Sequence, residues 1–152
     1  MDPLSIVASV TGLLAFTGSV IKIAAEVREA PEEMLDLRTE LRNLSAILRS
    51  AADVSTRYGV RVEDAPLIDT VQQHLDVCQA AMESIRSHLT DFVRPGTGRR
   101  SPIRVLRWTM RRGEIKTLRN RLRDAKAGLQ LAVTVLVGYV ISRSQSDGEH
   151  PM

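Results

Sequence analysis

Apolar residues recur along most of the chain at alternating spacings of three and four, the pattern of helices that bury one face. Proline and glycine divide this pattern into long segments. We predict a second helix from Glu32 to about Tyr58, a third from Pro66 to Phe92 and a last one from Ile115 to Ile141. The predicted core positions are Met34, Leu37, Leu41, Leu44, Leu48 and Ala51; Ile68, Val71, Leu75, Cys78, Met82, Ile85, Leu89 and Phe92; Ile115, Leu118, Leu122, Ala125, Leu129, Ala132, Leu136 and Tyr139.

The first segment differs from the others because it carries no charge over the nineteen residues from Pro3 to Ile21. Asp2 and Pro3 predict a helix start, and apolar side chains then fall on every face. Such a helix is either the buried centre of a bundle or embedded in lipid, and both interpretations stay open. Small residues also form one stripe that would admit a neighbouring helix, namely Ala8, Gly12, Ala15 and Ser19.

The remaining pattern predicts a short helix from Ile103 to Arg112, between a loop over Arg94–Ser101 and a break at Gly113. We therefore expect an all-α fold, an antiparallel helical bundle of four long helices plus one short helix. The apolar N-terminal helix is expected in its centre. The predicted domain covers residues 1–142, and residues 143–152 are expected to form a disordered tail.

Catalytic motifs are missing from the sequence, with no phosphate loop, dinucleotide fingerprint or nucleophile elbow. His74 and His88 would lie about 21 Å apart on one helix, too far to share a metal. The single cysteine, Cys78, occupies a predicted core position and is interpreted as a small hydrophobic residue. We expect no enzyme activity, no cofactor, no metal and no small-molecule substrate.

Charge changes the picture, because the net charge of +3 is unevenly distributed. The segment Arg94–Lys126 has a net charge of +10, and the rest of the chain has −7. One interpretation is pairing with the acidic second and third helices. The other is contact with anionic lipid headgroups. Nucleic acid is the weaker polyanion, because no nucleic-acid-binding motif is present. The candidate headgroup contacts are Arg99, Arg100, Arg104, Arg107, Trp108, Arg111 and Arg112.

Three stretches carry a resemblance to a known family. They are the opening MDPLSIVASVTGLLAF, the segment APEEMLDLRTELRNLSAIL, and W-x-x-x-x-G-E-I-K-x-L-R-x-R-L-x-x-A-K-x-x-L-Q-L-A from Trp108. Together they resemble the fungal N-terminal domain of STAND proteins, which are NOD-like receptors, and the related HeLo and HeLo-like domains. The resemblance runs from Met1 to about Ile141. It implies a helical bundle that precedes a nucleotide-binding domain and repeats, neither of which this chain contains. It also implies that Trp108 and the Leu118–Leu131 stripe are core.

The resemblance further implies a signalling module for regulated cell death or heterokaryon incompatibility, whose first helix is released into membranes. Our leading hypothesis is such a cytoplasmic effector, recruited to the plasma membrane through anionic lipid. The alternative is a helical adaptor that binds a protein partner or self-associates, with no membrane activity. The candidate inserting residues are Leu4, Ile6, Val7, Val10, Leu13, Leu14, Phe16, Val20 and Ile21.

Overall fold

The computed structural model describes residues 3–28, 31–59, 61–90 and 102–148, and nearly all of these are helical. The helices are α1 (Pro3–Glu26), α2 (Pro31–Tyr58), α3 (Ala65–Thr90) and α4 (Pro102–Gly148). A 3-10 turn at Val62–Asp64 precedes α3. Side chains are described for residues 6–28, 31–59, 61, 63–90 and 112–146. No strand occurs within the described ranges, so the prediction of an all-helical bundle is confirmed.

Proline and glycine set the helix ends, as their backbone chemistry requires. Helices α1, α2 and α4 each begin at a proline, whose missing N–H would have no helical acceptor at that position. Glu32 and Glu33 stand in the first turn of α2, where negative charge opposes the helix dipole. At the other end, Gly59 has a φ of 71°, a left-handed conformation that stops the helix.

The predicted core stripes of α2 and α3 are confirmed at every described position. All six predicted positions of α2 are buried, and so are the seven of α3 from Ile68 to Leu89, while Phe92 lies outside the described residues. The stripe of α4 follows the prediction as far as Leu129. Beyond that residue the predicted Leu136 is also buried and the predicted Ala132 is half-buried, whereas the predicted Tyr139 is 45% exposed and its neighbour Val140 is buried, as is Val133. The buried positions advance by four residues from Ala125 to Leu129 and by four again to Val133. Two such steps in a row keep the buried stripe on one side of a straight helix with 3.6 residues per turn.

The predicted short helix is wrong, because α4 runs without a break from Pro102 to Gly148. At the expected break, the hydroxyl of Thr117 donates to the Gly113 carbonyl one helical turn earlier, at 2.9 Å. A single glycine costs a helix only about 1 kcal/mol, which tertiary packing overcomes. The predicted tail also begins as helix, because α4 continues past Arg143, while residues 149–152 lie outside the described residues.

The four helices occupy the corners of a square when viewed along the bundle axis. Helix α1 packs against α2 and α3, and α4 packs against the same two helices. Cross-helix contacts fix the directions: Glu33 and Glu40 of α2 meet Arg112 and Arg123 of α4 in the same order, so α2 and α4 are parallel. Contacts between α3 and α4 run in opposite order, from His88–Glu114 to Asp64–Arg143. Because α1 and α4 each pack against both α2 and α3, they lie at diagonally opposite corners of the square.

The expected central position of α1 is wrong. The helix buries one face against α2 and α3, and it leaves the opposite face in solvent. The buried positions are Ile6, Val10, Leu13, Thr17, Val20 and Ala24, followed by Val27 just past the helix end. The exposed positions include Ala8, Thr11, Gly12, Ala15, Gly18 and Ser19. Small and weakly polar residues on this outer face let water cover it, so three other helices are not needed to enclose α1.

Candidate functional site

Helix α1 is the candidate functional element, because its two faces suit different surroundings. Its buried face contributes large aliphatic side chains to the core, each worth about 2 kcal/mol of burial. Its outer face carries the small-residue stripe, and nothing lies within 4 Å of a Cβ built on Gly12 or Gly18. The stripe predicted to admit a neighbouring helix thus faces solvent rather than the bundle.

Few polar contacts attach α1 to its neighbours. The buried hydroxyl of Thr17 donates to the Leu13 carbonyl at 2.7 Å and lies 3.3 Å from the Met82 sulfur of α3. The guanidinium of Arg86 lies over the Phe16 ring, 5.4 Å from its centroid. Within the described residues, no ion pair joins α1 to another helix. The attachment of α1 is therefore almost wholly apolar.

Helices α2 and α4, in contrast, are joined by a ladder of ion pairs. The Arg112 guanidinium binds Glu33, and Arg119 lies 3.6 Å from Asp36. Further along, Arg123 and Lys126 donate to the two carboxylate oxygens of Glu40, at 3.0 and 2.5 Å. Four described residues of the basic segment, Arg112, Arg119, Arg123 and Lys126, thus pair with α2, in line with the first of the two interpretations of its charge.

Glu40 is the most buried carboxylate of this ladder, with a side chain 11% exposed. Burial raises its pKa, but the hydrogen bonds and charges of Lys126 and Arg123 outweigh burial and hold the pKa below its ordinary value. Glu40 therefore stays ionised at neutral pH and bridges two cations of α4.

A second polar cluster joins the α2–α3 connection to the far end of α4. Asp64 is fully buried, and Arg143 Nη1 donates to both of its carboxylate oxygens at 2.6 Å. The same carboxylate accepts from the Arg61 backbone N–H at 2.9 Å. Sequence reasoning missed this pair, because Arg143 was assigned to the tail. A buried charge pair of this kind holds two segments in one register, since separating it strands both charges.

The structure describes the burial of eight of the nine candidate inserting residues. Among the candidate inserting residues, Ile6, Val10, Leu13 and Val20 are buried in the bundle. Four others are half-buried, namely Val7, Leu14, Phe16 and Ile21. The side chain of Leu4 lies outside the described residues. All of them belong to α1, so one helix does bring them together.

The predicted headgroup contacts fall mostly outside the described side chains. Arg99 and Arg100 precede α4, and the backbone places Arg104, Arg107, Trp108 and Arg111 in its first three turns. Arg112 is described; its guanidinium pairs with Glu33, and its side chain is 57% exposed. The assignment of all seven residues to headgroup contact stays a prediction.

Other candidate chemistry is accounted for by packing. Cys78 is fully buried, and burial raises its pKa to about 12, so the thiol is unreactive in the closed bundle. His74 lies on Gly128 of α4, where an added Cβ would come within 2.8 Å of the ring. His88 bonds Glu114 at 2.9 Å. In the described part of the chain, no three His, Cys, Asp or Glu side chains gather as metal ligands.

One surface feature escaped sequence reasoning. Leu131, which the resemblance assigned to the core, is 68% exposed on α4, and Val135 is 50% exposed. Together with Tyr139 they follow one another at steps of four residues. The signal was present in the sequence, since α4 carries no charge from Ala127 to Ser142.

Comparison of the chain with protein-family models, curated proteins and solved structures finds no match. The resemblance to the fungal STAND N-terminal domain therefore stays a prediction that depends on the three motifs. Two helices are long and apolar enough to cross a membrane, over Ile6–Glu26 and Arg112–Ser146, with mean hydropathies of 1.8 and 1.5. Core helices of soluble proteins pass the same test, so this property is weak evidence of membrane activity.

Proposed function

We propose that the chain is a membrane-targeting effector module, in which α1 leaves its corner of the bundle and inserts into lipid. The observation that carries this proposal is the attachment of α1, an apolar helix without charge from Pro3 to Ile21, which lies at a corner position without an ion pair to another described helix. The sequence resemblance supports the same function and suggests a cytoplasmic protein of the fungal NOD-like receptor type, linked to regulated cell death.

Lipid can replace what α1 loses on leaving the bundle. Its 24 residues give a helix about 36 Å long, enough for the roughly 30 Å hydrocarbon core of a bilayer. The aliphatic face that α2 and α3 cover would meet acyl chains instead, and its outer small residues carry no charge that would oppose insertion. Such an exchange between two apolar environments is typical of a switch whose two states differ by a few kcal/mol.

The rest of the bundle is built to stay together during such an exchange. Ion pairs join α2 to α4, and the Asp64–Arg143 pair joins α4 to the start of α3. Neither cluster includes a residue of α1. Release of α1 would therefore leave the other three helices connected, and the basic residues that begin α4 would supply attraction to anionic headgroups.

Ala15 offers the sharpest test, because it is exposed in the bundle but would lie near the middle of an inserted helix. Ala15→Glu should leave the fold and its stability unchanged. In lipid a charge at mid-span costs about 3 kcal/mol, on the order of 100-fold in the insertion equilibrium. We expect leakage of vesicles that contain anionic lipid to be lost in this variant.

Ala46→Glu provides the matched control, since Ala46 is an exposed alanine of α2 and the change in net charge is the same. This control should retain wild-type leakage and wild-type cosedimentation with the vesicles. Equal leakage by the two variants, or no leakage by the wild type, would contradict the proposal and favour the adaptor.

A further inference from the structure

Helix α4 carries a second stripe that the bundle does not use. It contains three exposed large apolar side chains of the described part of that helix and continues through polar and small positions at both ends. The stripe consists of Arg121, Asp124, Gly128, Leu131, Val135, Tyr139 and Ser142. Its spacings of three and four are those of a coiled-coil seam. His74 of α3 lies on Gly128, whereas Leu131, Val135 and Tyr139 are exposed.

The second stripe lies on a different side of α4 from the core stripe. At 100° per residue, the stripe spans about 80°, from Leu131 on one side to Tyr139 on the other, and its centre lies roughly 125° from the centre of the core stripe. Val77 of α3, 55% exposed, borders the same surface where Gly128 meets His74. The apolar surface therefore spans both helices and is centred on α4.

We propose that two copies of this chain associate through the second stripe of α4, with the two α4 helices packed antiparallel. The stripe supplies large aliphatic residues in its middle, and it has no charge from Ala127 to Ser142. From Arg121 to Ser142 the contact would extend about 32 Å along each helix. A seam of this length is typical of helix pairs that associate in water.

The two charges of the stripe oppose a parallel pair of copies, whereas an antiparallel pair of copies brings no like charges of the stripe together. A parallel pair would place Arg121 on Arg121 and Asp124 on Asp124, and like charges in contact oppose association. In an antiparallel pair, Leu131 of each copy meets Val135 of the other, and Asp124 meets the hydroxyl of Ser142. The charged end of one stripe thus lies on the uncharged polar end of the other. The stripe is complementary to itself, as a two-fold interface requires.

The dimer does not depend on the proposed membrane function, and it leaves that function possible. Helix α1 is diagonal to α4, so the second stripe faces away from it. Both α1 helices would remain on the outside of the dimer. Failure of the leakage experiment would not affect the dimer, and a monomeric chain would not affect α1 release.

Sedimentation equilibrium of the full chain tests the association. We expect a concentration-dependent dimer in the wild type, weakened by about 100-fold or more in Leu131→Glu, because each copy loses a buried leucine and gains a charge in the seam. Leu35→Glu is the matched control: Leu35 is 51% exposed on α2, outside the stripe, so this variant should dimerise as the wild type does. A monomeric wild type at about 100 µM, or equal weakening by both substitutions, would overturn the proposal.

Cysteine cross-linking tests the direction of the pair. An equimolar mixture of Leu131→Cys and Val135→Cys chains should form the disulfide dimer faster than either variant alone, because the antiparallel seam pairs residue 131 with residue 135. Native Cys78 is buried and does not compete. Faster cross-linking of either variant alone would indicate a parallel pair and overturn the proposed geometry.

Discussion

Single residues explain why a chain with so even a distribution of leucines adopts one arrangement. Leucine stripes would pack in several registers, but a buried carboxylate is stable only where its cations are. Glu40 meets Arg123 and Lys126, and Asp64 meets Arg143, at two heights along α4. The acidic and basic composition of α2 and α4 was visible in the sequence. The pairing of particular residues was not, because it depends on the parallel direction of two helices that are distant in the chain.

Glu40→Gln should lower the free energy of unfolding by about 2 kcal/mol at neutral pH, because it removes charge-assisted hydrogen bonds and leaves Lys126 unpaired. The folded pKa of Glu40 lies below its ordinary value of 4.5, so its contribution is complete above that value. The contribution is lost as the pH falls through the lower folded pKa. Urea unfolding from about pH 7 to about pH 3 measures the free energy of unfolding of the wild type and of Glu40→Gln, and so the contribution of Glu40 at each pH.

The difference in the free energy of unfolding between the wild type and Glu40→Gln should be constant at pH values above the ordinary pKa of Glu40 and shrink below it. Glu83→Gln, at an exposed position of α3, serves as the control and should change stability by less than about 0.5 kcal/mol. A difference for Glu40→Gln that grows as the pH falls would have the wrong sign for this ion-pair account.

Individual helices were more predictable than their ends. Periodicity gave the faces of α2 and α3, because a buried aliphatic stripe leaves little freedom in which side of a helix turns inward. It failed at Gly113 and in the last turns of α4. Glycine is a weak stop unless the backbone adopts a positive φ, as Gly59 does and Gly113 does not. In the apolar end of α4, too many aliphatic residues were available for the pattern to select Val133 and Val140.

The continuity of α4 predicts the effect of replacing its glycine. Gly113→Ala should stabilise the protein by about 1 kcal/mol, because alanine is the better helix former and the added Cβ meets no atom within 4 Å. Thermal or urea unfolding measures the change. Gly59→Ala is the opposite control and should destabilise by about 1 kcal/mol, since φ there is 71°. If Gly113→Ala destabilised the protein, the result would contradict a continuous α4 and favour the predicted helix break at Gly113.

The whole molecule differs from the sequence prediction mainly in where α1 lies. A helix without charge from Pro3 to Ile21 and with apolar residues on every face favours a central position, yet four long helices pack most simply as a square. Hydropathy does not distinguish a corner from the centre when the outer face is built of Ala, Gly, Ser and Thr. The candidate inserting residues were correctly grouped on one helix, whereas the fold places Arg112 in an ion pair that composition alone did not reveal.

If α1 leaves its corner of the bundle, the reactivity of the native Cys78 thiol should increase. Cys78 is the single cysteine of the chain, and it is buried in the core that α1 helps to form. Its raised pKa of about 12 and its lack of exposure make alkylation negligible while the bundle is closed. Removal of α1 would open that core.

The most direct measurement is therefore the rate at which a maleimide labels Cys78 in the unmodified chain, with and without vesicles of anionic lipid. Release of α1 predicts slow labelling in water and labelling at least about tenfold faster with vesicles, an acceleration that Ala15→Glu should lack. Unchanged labelling of a chain that has bound the vesicles would contradict release, because α1 would then have stayed in place.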